Sequence, residues 1–192
     1  SEEFDFTFVK YEGDIPCENI NICLKECTGE IIKVMFSDDI FVNDKALEVI
    51  DDTYKNNKCK WTFNGFCGTV DGTNTYKPDI PRWTEHTLEG RNLLSSPSVI
   101  SFRNDCKLEF DQNLKLLLDV DFYHRMRLNH GYPFVIEDIL IANRDHDARI
   151  SSDSTSNYDC VFPHPEGGWM MNSKELNYVR EKYPDFFPHR RY

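Results

Sequence analysis

The stretch Glu30–Phe41, EIIKVMFSDDIF, decides how this chain is read. Within Ile31–Phe36 only Lys33 is charged, and after Ser37 come two adjacent carboxylates, Asp38 and Asp39. A near-continuous apolar run suits a strand covered on both faces, as in parallel sheets. In open α/β sheets, ligands bind beyond the carboxyl ends of the strands. Two neighbouring carboxylates placed there repel each other unless a cation or a hydrogen-bond donor answers them. Taken alone, the pair also reads as an acidic turn into the next helix.

Working outward, Glu18–Cys27 places Ile20, Cys23, Leu24 and Cys27 at helical spacing, with Gly29 as its stop. Before it, Phe4–Tyr11 alternates as a strand does. After the aspartates, Asn43 or Asp44 caps a helix over Lys45–Tyr54, with Leu47, Ile50 and Tyr54 inward. Trp61–Val70 predicts a strand, Asp71-Gly72 a tight turn, and Thr73–Gly90 a long loop of the kind that is often functional. Ser98–Phe102 and Phe134–Ile141 predict further strands. Between them, Leu114–Asn129 predicts a long helix with Leu117, Leu118, Phe122 and Met126 as its inner stripe. Ser151–Asn157 is polar, and Lys174–Tyr183 predicts a last helix ended by Pro184. No repeat is visible. Residues 1–151 read as one domain, and 152–192 as an extension whose helix packs on it.

The 192 residues suffice for one sizeable core, and 40% apolar with 14% aromatic residues excludes disorder. A net charge of −11 argues against a nucleic-acid partner, since no basic surplus exists to neutralise phosphates. No run is long enough to cross a bilayer, and SEEFDF is not a signal peptide. Seven cysteines without a CxxC pair suit a reduced, cytoplasmic compartment, with Cys23 and Cys27 as core-facing thiols. GxGxxG, Walker, GxSxG and HExxH motifs are absent, which disfavours dinucleotide enzymes, P-loop enzymes, standard α/β-hydrolases and zincins.

Three places could carry chemistry. Asp38 and Asp39 suit manganese or magnesium, which prefer oxygen ligands and keep positions open for substrate phosphates. Asp119 and Asp121 lie beside the apolar stripe of their helix, where desolvation raises a carboxyl pKa toward that of a general base. For Asp121 a solvated ion pair with Arg125, four residues on, is the preferred reading. His146, between Asp145 and Asp147, could serve as a metal ligand or a phosphate contact, although a lone histidine in a loop is more often no ligand at all.

Taken in order, ENINICLKECTGEIIKVMFSDDIF, GRNLLSSPSVISFRND, FDQNLKLLLDVDFYHRM and NRDHDARIS resemble a family 2 glycosyltransferase, over about Phe8 to Ser151. The resemblance implies an α/β GT-A fold: a Rossmann-like, mixed, mostly parallel sheet flanked by helices. It begins after the strand, helix and strand that open the family's fold, so it implies a sheet lacking them, with an exposed edge or face and weak nucleotide binding alone. It further implies transfer of a sugar from a nucleotide-diphosphate donor to a hydroxyl of a glycan or other acceptor, by a metal-dependent, inverting single displacement. By resemblance, Asp38 lies near the donor sugar or ribose, and Asp39 holds a divalent cation, manganese or magnesium. Asp119 is the base, His146 and Arg144 approach the metal and the diphosphate, Asn19 and Asn21 line the nucleotide side, and Ser96, Pro97 and Ser98 form the wall between donor and acceptor. Phe36 and Leu118 depart from the pattern, standing where the family often has acidic residues. Two other readings stay open: a non-catalytic carbohydrate- or metal-binding domain on the same scaffold, and a sugar nucleotidyltransferase, for which no glycine-rich basic loop is present.

Overall fold

The computed structural model describes residues 6–13, 15–84, 86–89, 92–146, 161–163, 169–171 and 174–187. Six strands form one sheet: β1 (Ile31–Lys33), β2 (Ile40–Phe41), β3 (Trp61–Thr69), β4 (Thr75–Asp79), β5 (Ile100–Arg103) and β6 (Phe134–Arg144). Their order is β1-β5-β3-β6-β2, with β4 added to β3. The helices are α1 (Pro16–Glu26), α2 (Ala46–Asn56), α3 (Leu118–His130) and α4 (Lys174–Lys182). Val161–Pro163 and Trp169–Met171 pair as a separate two-stranded ladder.

Alternation along the strands divides the two sides of the sheet. Trp61 and Phe63 of β3, with Ile100 and Phe102 of β5, join one large core with Leu24 of α1, Phe122 and Met126 of α3, and Leu176 and Val179 of α4. Rings of this kind each stabilise the fold by roughly 1.5–3 kcal/mol through burial. Phe110 stacks on Phe122 at 4.1 Å, and Trp61 donates through Nε1 to Gly131 O at 2.9 Å. The opposite face packs Ala46, Ile50 and Tyr54 of α2 on Ile136 and Leu140 of β6.

The structure overturns the expectation that Ile31–Phe36 is an interior strand of a mostly parallel sheet. Among the described residues β1 is an edge strand, hydrogen-bonded only to β5, from Ile31↔Arg103 to Lys33↔Ser101. The ladders are antiparallel except the central β3–β6 pair. Apolar side chains report covered faces, not neighbouring strands: Ile32 and Val34 sink into the large core while Ile31 packs against the α2 cluster. The ladder stops at Lys33 because β5 gives way to the 3-10 turn Pro97–Val99, and Phe36 N then donates to Ser98 Oγ instead.

Other expectations shift in register. The buried residues of α1 are Cys17, Asn21 and Leu24, so Cys23 is exposed rather than core-facing, while Cys27, half-buried, does pack against the large core. The helix turns this way because Asn21 fits the Phe110 backbone. In α2, Ala46 is buried and Leu47 is 54% exposed. Residues 6–11 of the expected strand Phe4–Tyr11 form no ladder, and Phe6 and Phe8 lie exposed. The loop expected from Thr73 contains β4, which pairs with β3 across the Asp71-Gly72 turn; Gly72 has φ +83° there, and the Asp71 carboxylate accepts from Thr73 N and Asn74 N. The helix expected at Leu114 begins only at Leu118. The Asp121–Arg125 pair forms at 2.8 Å, but Asp121 is fully buried, so it is not a solvated pair. The polar stretch Ser151–Asn157 lies outside the described residues.

Candidate functional site

The end of β1, the loop before β5, the start of α3 and the end of β6 converge on one cleft of about 1020 Å³. Asp38, Asp39, Asn92, Asp119, Asn143 and His146 all line it. Asp39 is held by three donors: Ser96 Oγ and Asn143 Nδ2 reach Oδ2 at 3.0 Å each, and Arg144 N reaches Oδ1 at 3.2 Å. Asp38 instead meets His146 Nε2 at 3.0 Å through Oδ2, with both side chains more than a third exposed.

Asp119 is the second residue of α3. Its Oδ1 accepts from Val120 N at 2.7 Å, and its Oδ2 accepts from Asn92 Nδ2 at 2.5 Å. The first bond meets one of the backbone donors that a helix N-terminus leaves unpaired. Burial pushes the Asp119 carboxyl up to about 7; Val120 N and Asn92 oppose the rise, and the Glu175 carboxylate adds to it. That value suits a proton acceptor near neutral pH.

A hydrogen-bonded chain joins the two carboxylates. Asn92 Nδ2 also donates to Ser95 O at 3.0 Å, Ser95 Oγ donates to Asn143 Oδ1 at 3.1 Å, and Asn143 Nδ2 reaches Asp39. Ser95 adopts φ +72°, a costly conformation for a residue with a side chain, and Tyr123 OH helps to hold it by donating to Ser95 O at 3.2 Å. Beneath the chain, Lys33 Nζ donates to Asn64 Oδ1 at 3.1 Å and to the carbonyl of Ser98. Burial brings this ammonium down to about 7, opposed by the Asp39 carboxylate.

Of the residues singled out from sequence, Asn19, Asp38, Asp39, Ser96, Asp119, Arg144 and His146 meet at the cleft. Asn21 does not line it: the side chain is 1% exposed, its Nδ2 donating to Phe110 O and its Oδ1 accepting from Phe110 N. Ser98 is fully buried, accepting from Phe36 N through Oγ. Asn92, Ser95, Asn143 and Lys33 were not singled out. Asn92 and Ser95 stand within GRNLLSSPS and Asn143 within NRDHD, so the motifs marked the neighbourhood without the residue.

Among the described residues, no three His, Cys, Asp or Glu side chains are grouped to hold a metal. Asp38 and His146 do present one carboxylate and one imidazole side by side. Of these two donors, the carboxylate is of the kind that magnesium and manganese take, and the imidazole of the kind that later transition metals take. Among the described residues no helix is long and apolar enough to cross a membrane, and the six described cysteines are unpaired.

No protein-family model matches the sequence, and no curated protein matches it. Among solved structures, the crystal structure of S. aureus TarS 1-349 is similar, with a TM-score of 0.51 and 19% identity. TarS is a wall teichoic acid glycosyltransferase. The match covers 67% of this chain and spans 40% of that one. At that identity the likeness speaks for the fold alone, a mixed α/β fold.

Proposed function

We propose that this chain carries the catalytic cleft of a GT-A, family 2-type glycosyltransferase, working in the cytoplasm on a nucleotide-diphosphate sugar and a hydroxyl acceptor. The observation that carries this reading is the hydrogen-bonded chain from Asp119 to Asp39 along one cleft wall, with Asp119 held in a proton-accepting environment. A base near neutrality, a carboxylate–imidazole pair and a large cleft between them are what transfer from a charged donor requires.

In the reaction, Asp119 takes the proton of the acceptor hydroxyl as its oxygen attacks the anomeric carbon. The bond from that carbon to the diphosphate oxygen breaks, inverting the centre, and the diphosphate leaves with the electron pair. A manganese or magnesium ion, when bound, supplies Lewis-acid stabilisation of that leaving charge. Asp38 and His146 would hold it. Asp39, taken up by Ser96, Asn143 and Arg144 N, orders the wall behind them. Arg144 offers its guanidinium to the diphosphate, and Asn19, exposed on α1, faces the nucleotide side.

The test is incubation with a panel of sugar nucleotides, with and without manganese, following release of nucleoside diphosphate. Metal-dependent consumption of one donor, lost in Asp119→Asn, is the expected result. Donor binding without consumption across the panel and a range of acceptors would overturn the reading in favour of a non-catalytic domain.

A further inference from the structure

The mechanism above uses nothing from α4, yet α4 reaches the root of the helix that bears Asp119. Glu175 Oε1 accepts from Lys115 N at 2.8 Å, and Oε2 accepts from Leu116 N at 3.0 Å and Leu117 N at 2.9 Å. One carboxylate thus gathers three successive backbone donors of the turn that enters α3, two residues before Asp119. A carboxylate belongs at such a place electrostatically, since a helix N-terminus carries partial positive charge. Lys115, Leu116 and Leu117 also line the cleft, so the turn Glu175 grips is part of the cleft wall.

The grip is firmly mounted. Leu176 and Val179, on the same helix, are buried in the large core. At the far end Lys182 Nζ bridges Asp111 at 2.5 Å and Asp121 at 2.7 Å, and Tyr183 OH donates to Asp121 at 2.7 Å. Tyr178 OH donates to Asp111 at 2.9 Å. The two ends of α4 therefore hold α3 on both sides of Asp119, at the turn before it and at Asp121 after it.

We infer that Glu175 is a positioning residue: it sets the entry turn of α3 so that the Asp119 carboxylate meets Asn92 and faces the cleft. The inference rests on the proposed role of Asp119 as base. Misplacing a reacting group by about 1 Å costs on the order of 10²-fold in rate, and Glu175→Ala takes from three N–H groups the carboxylate that gathers them. Turnover in Glu175→Ala should fall about ten- to hundredfold, with the affinity for nucleoside diphosphate and manganese, measured by calorimetry, unchanged. Glu175→Gln, which keeps one acceptor oxygen, should recover part of the loss.

A second readout needs no turnover. The groups facing Asp119 are Asn92 from the preceding loop, Glu175 from α4 and Tyr123 on α3 itself. Removing the Glu175 charge in Glu175→Gln should move the Asp119 carboxyl titration, followed by carbon NMR, to lower pH. Parent turnover in Glu175→Ala, or a titration that does not move in Glu175→Gln, overturns the inference. A Glu175→Ala protein that binds the nucleotide more weakly in proportion to its lost turnover overturns it too. A parent protein that consumes no donor but whose Asp119 titration shifts as stated would sink the glycosyl-transfer reading and leave the positioning intact.

Discussion

Asp119 yields the sharpest prediction, because its environment sets a pH at which activity should fail. With its carboxyl raised to about 7, kcat should fall about tenfold for each pH unit below that value. Rates near pH 5 would then be about a hundredth of the plateau, whereas an ordinary aspartate, with a pKa of about 3.9, would leave them flat from pH 5 upward. The Asn92 bond favours the ionised form, and a hydrogen bond to a charged group contributes about 1.5–3 kcal/mol. Asn92→Ala should therefore move the acid limb up by about one unit or more, since one unit corresponds to about 1.4 kcal/mol. The stability sign follows from linkage. The folded chain binds more protons than the unfolded one between 3.8 and about 7, so stability falls as pH rises through that window. Asp119→Asn, free of that charge, should unfold at higher denaturant than the parent at pH 8 while losing about 10²–10⁴ in turnover. The assay is release of nucleoside diphosphate from pH 5 to 9, with donor and metal saturating at each pH. An acid limb near pH 4, or one that moves down in Asn92→Ala, would refute the reasoning.

Three further outcomes are expected. Asp38→Ala and His146→Ala should each weaken manganese-dependent binding of a nucleoside diphosphate by more than about tenfold, since losing even the hydrogen-bond partner of a metal ligand costs about 10–100-fold, and calorimetry that finds the parent affinity would remove the pair from the metal site. Lys33, lowered to about 7, is protonated less in the folded than in the unfolded chain up to pH 10.5, so stability should rise with pH above 7; in Lys33→Met, urea melts across that range should show a shallower rise. A Cβ at Gly65 would lie 2.8 Å from Asp138 O, at the irregularity in the β3–β6 pairing, so Gly65→Ala should cost about 1–3 kcal/mol in a denaturant melt.

Local chemistry was legible where it depends on neighbours in the chain. The Asp71-Gly72 turn, the helix ended by Pro184, the long strand from Trp61 and the inner stripe of Leu117, Leu118, Phe122 and Met126 are all written in spacing and turn residues. The acidic pair at Asp38 and Asp39, the aspartate beside the apolar stripe of a helix and the histidine after a strand were also legible, because each motif is a short string; that this aspartate opens its helix was not, since the helix was expected from Leu114. What no string contained was the pairing of β1, whose apolar side chains announce burial but not which strand lies beside it. Likewise, the spacing of Ile20, Cys23, Leu24 and Cys27 could not reveal that the Phe110 backbone, 89 residues from Asn21, turns α1 to bury an amide. The division of labour within the site has the same origin. Asp38 and Asp39 are adjacent and chemically identical, and only the tertiary structure hands one to Ser96, Asn143 and the Arg144 backbone while leaving the other to His146. Sequence determines which groups exist and their local conformation; long-range packing decides which donors reach them, and so which carboxylate is buried, bonded or free to act.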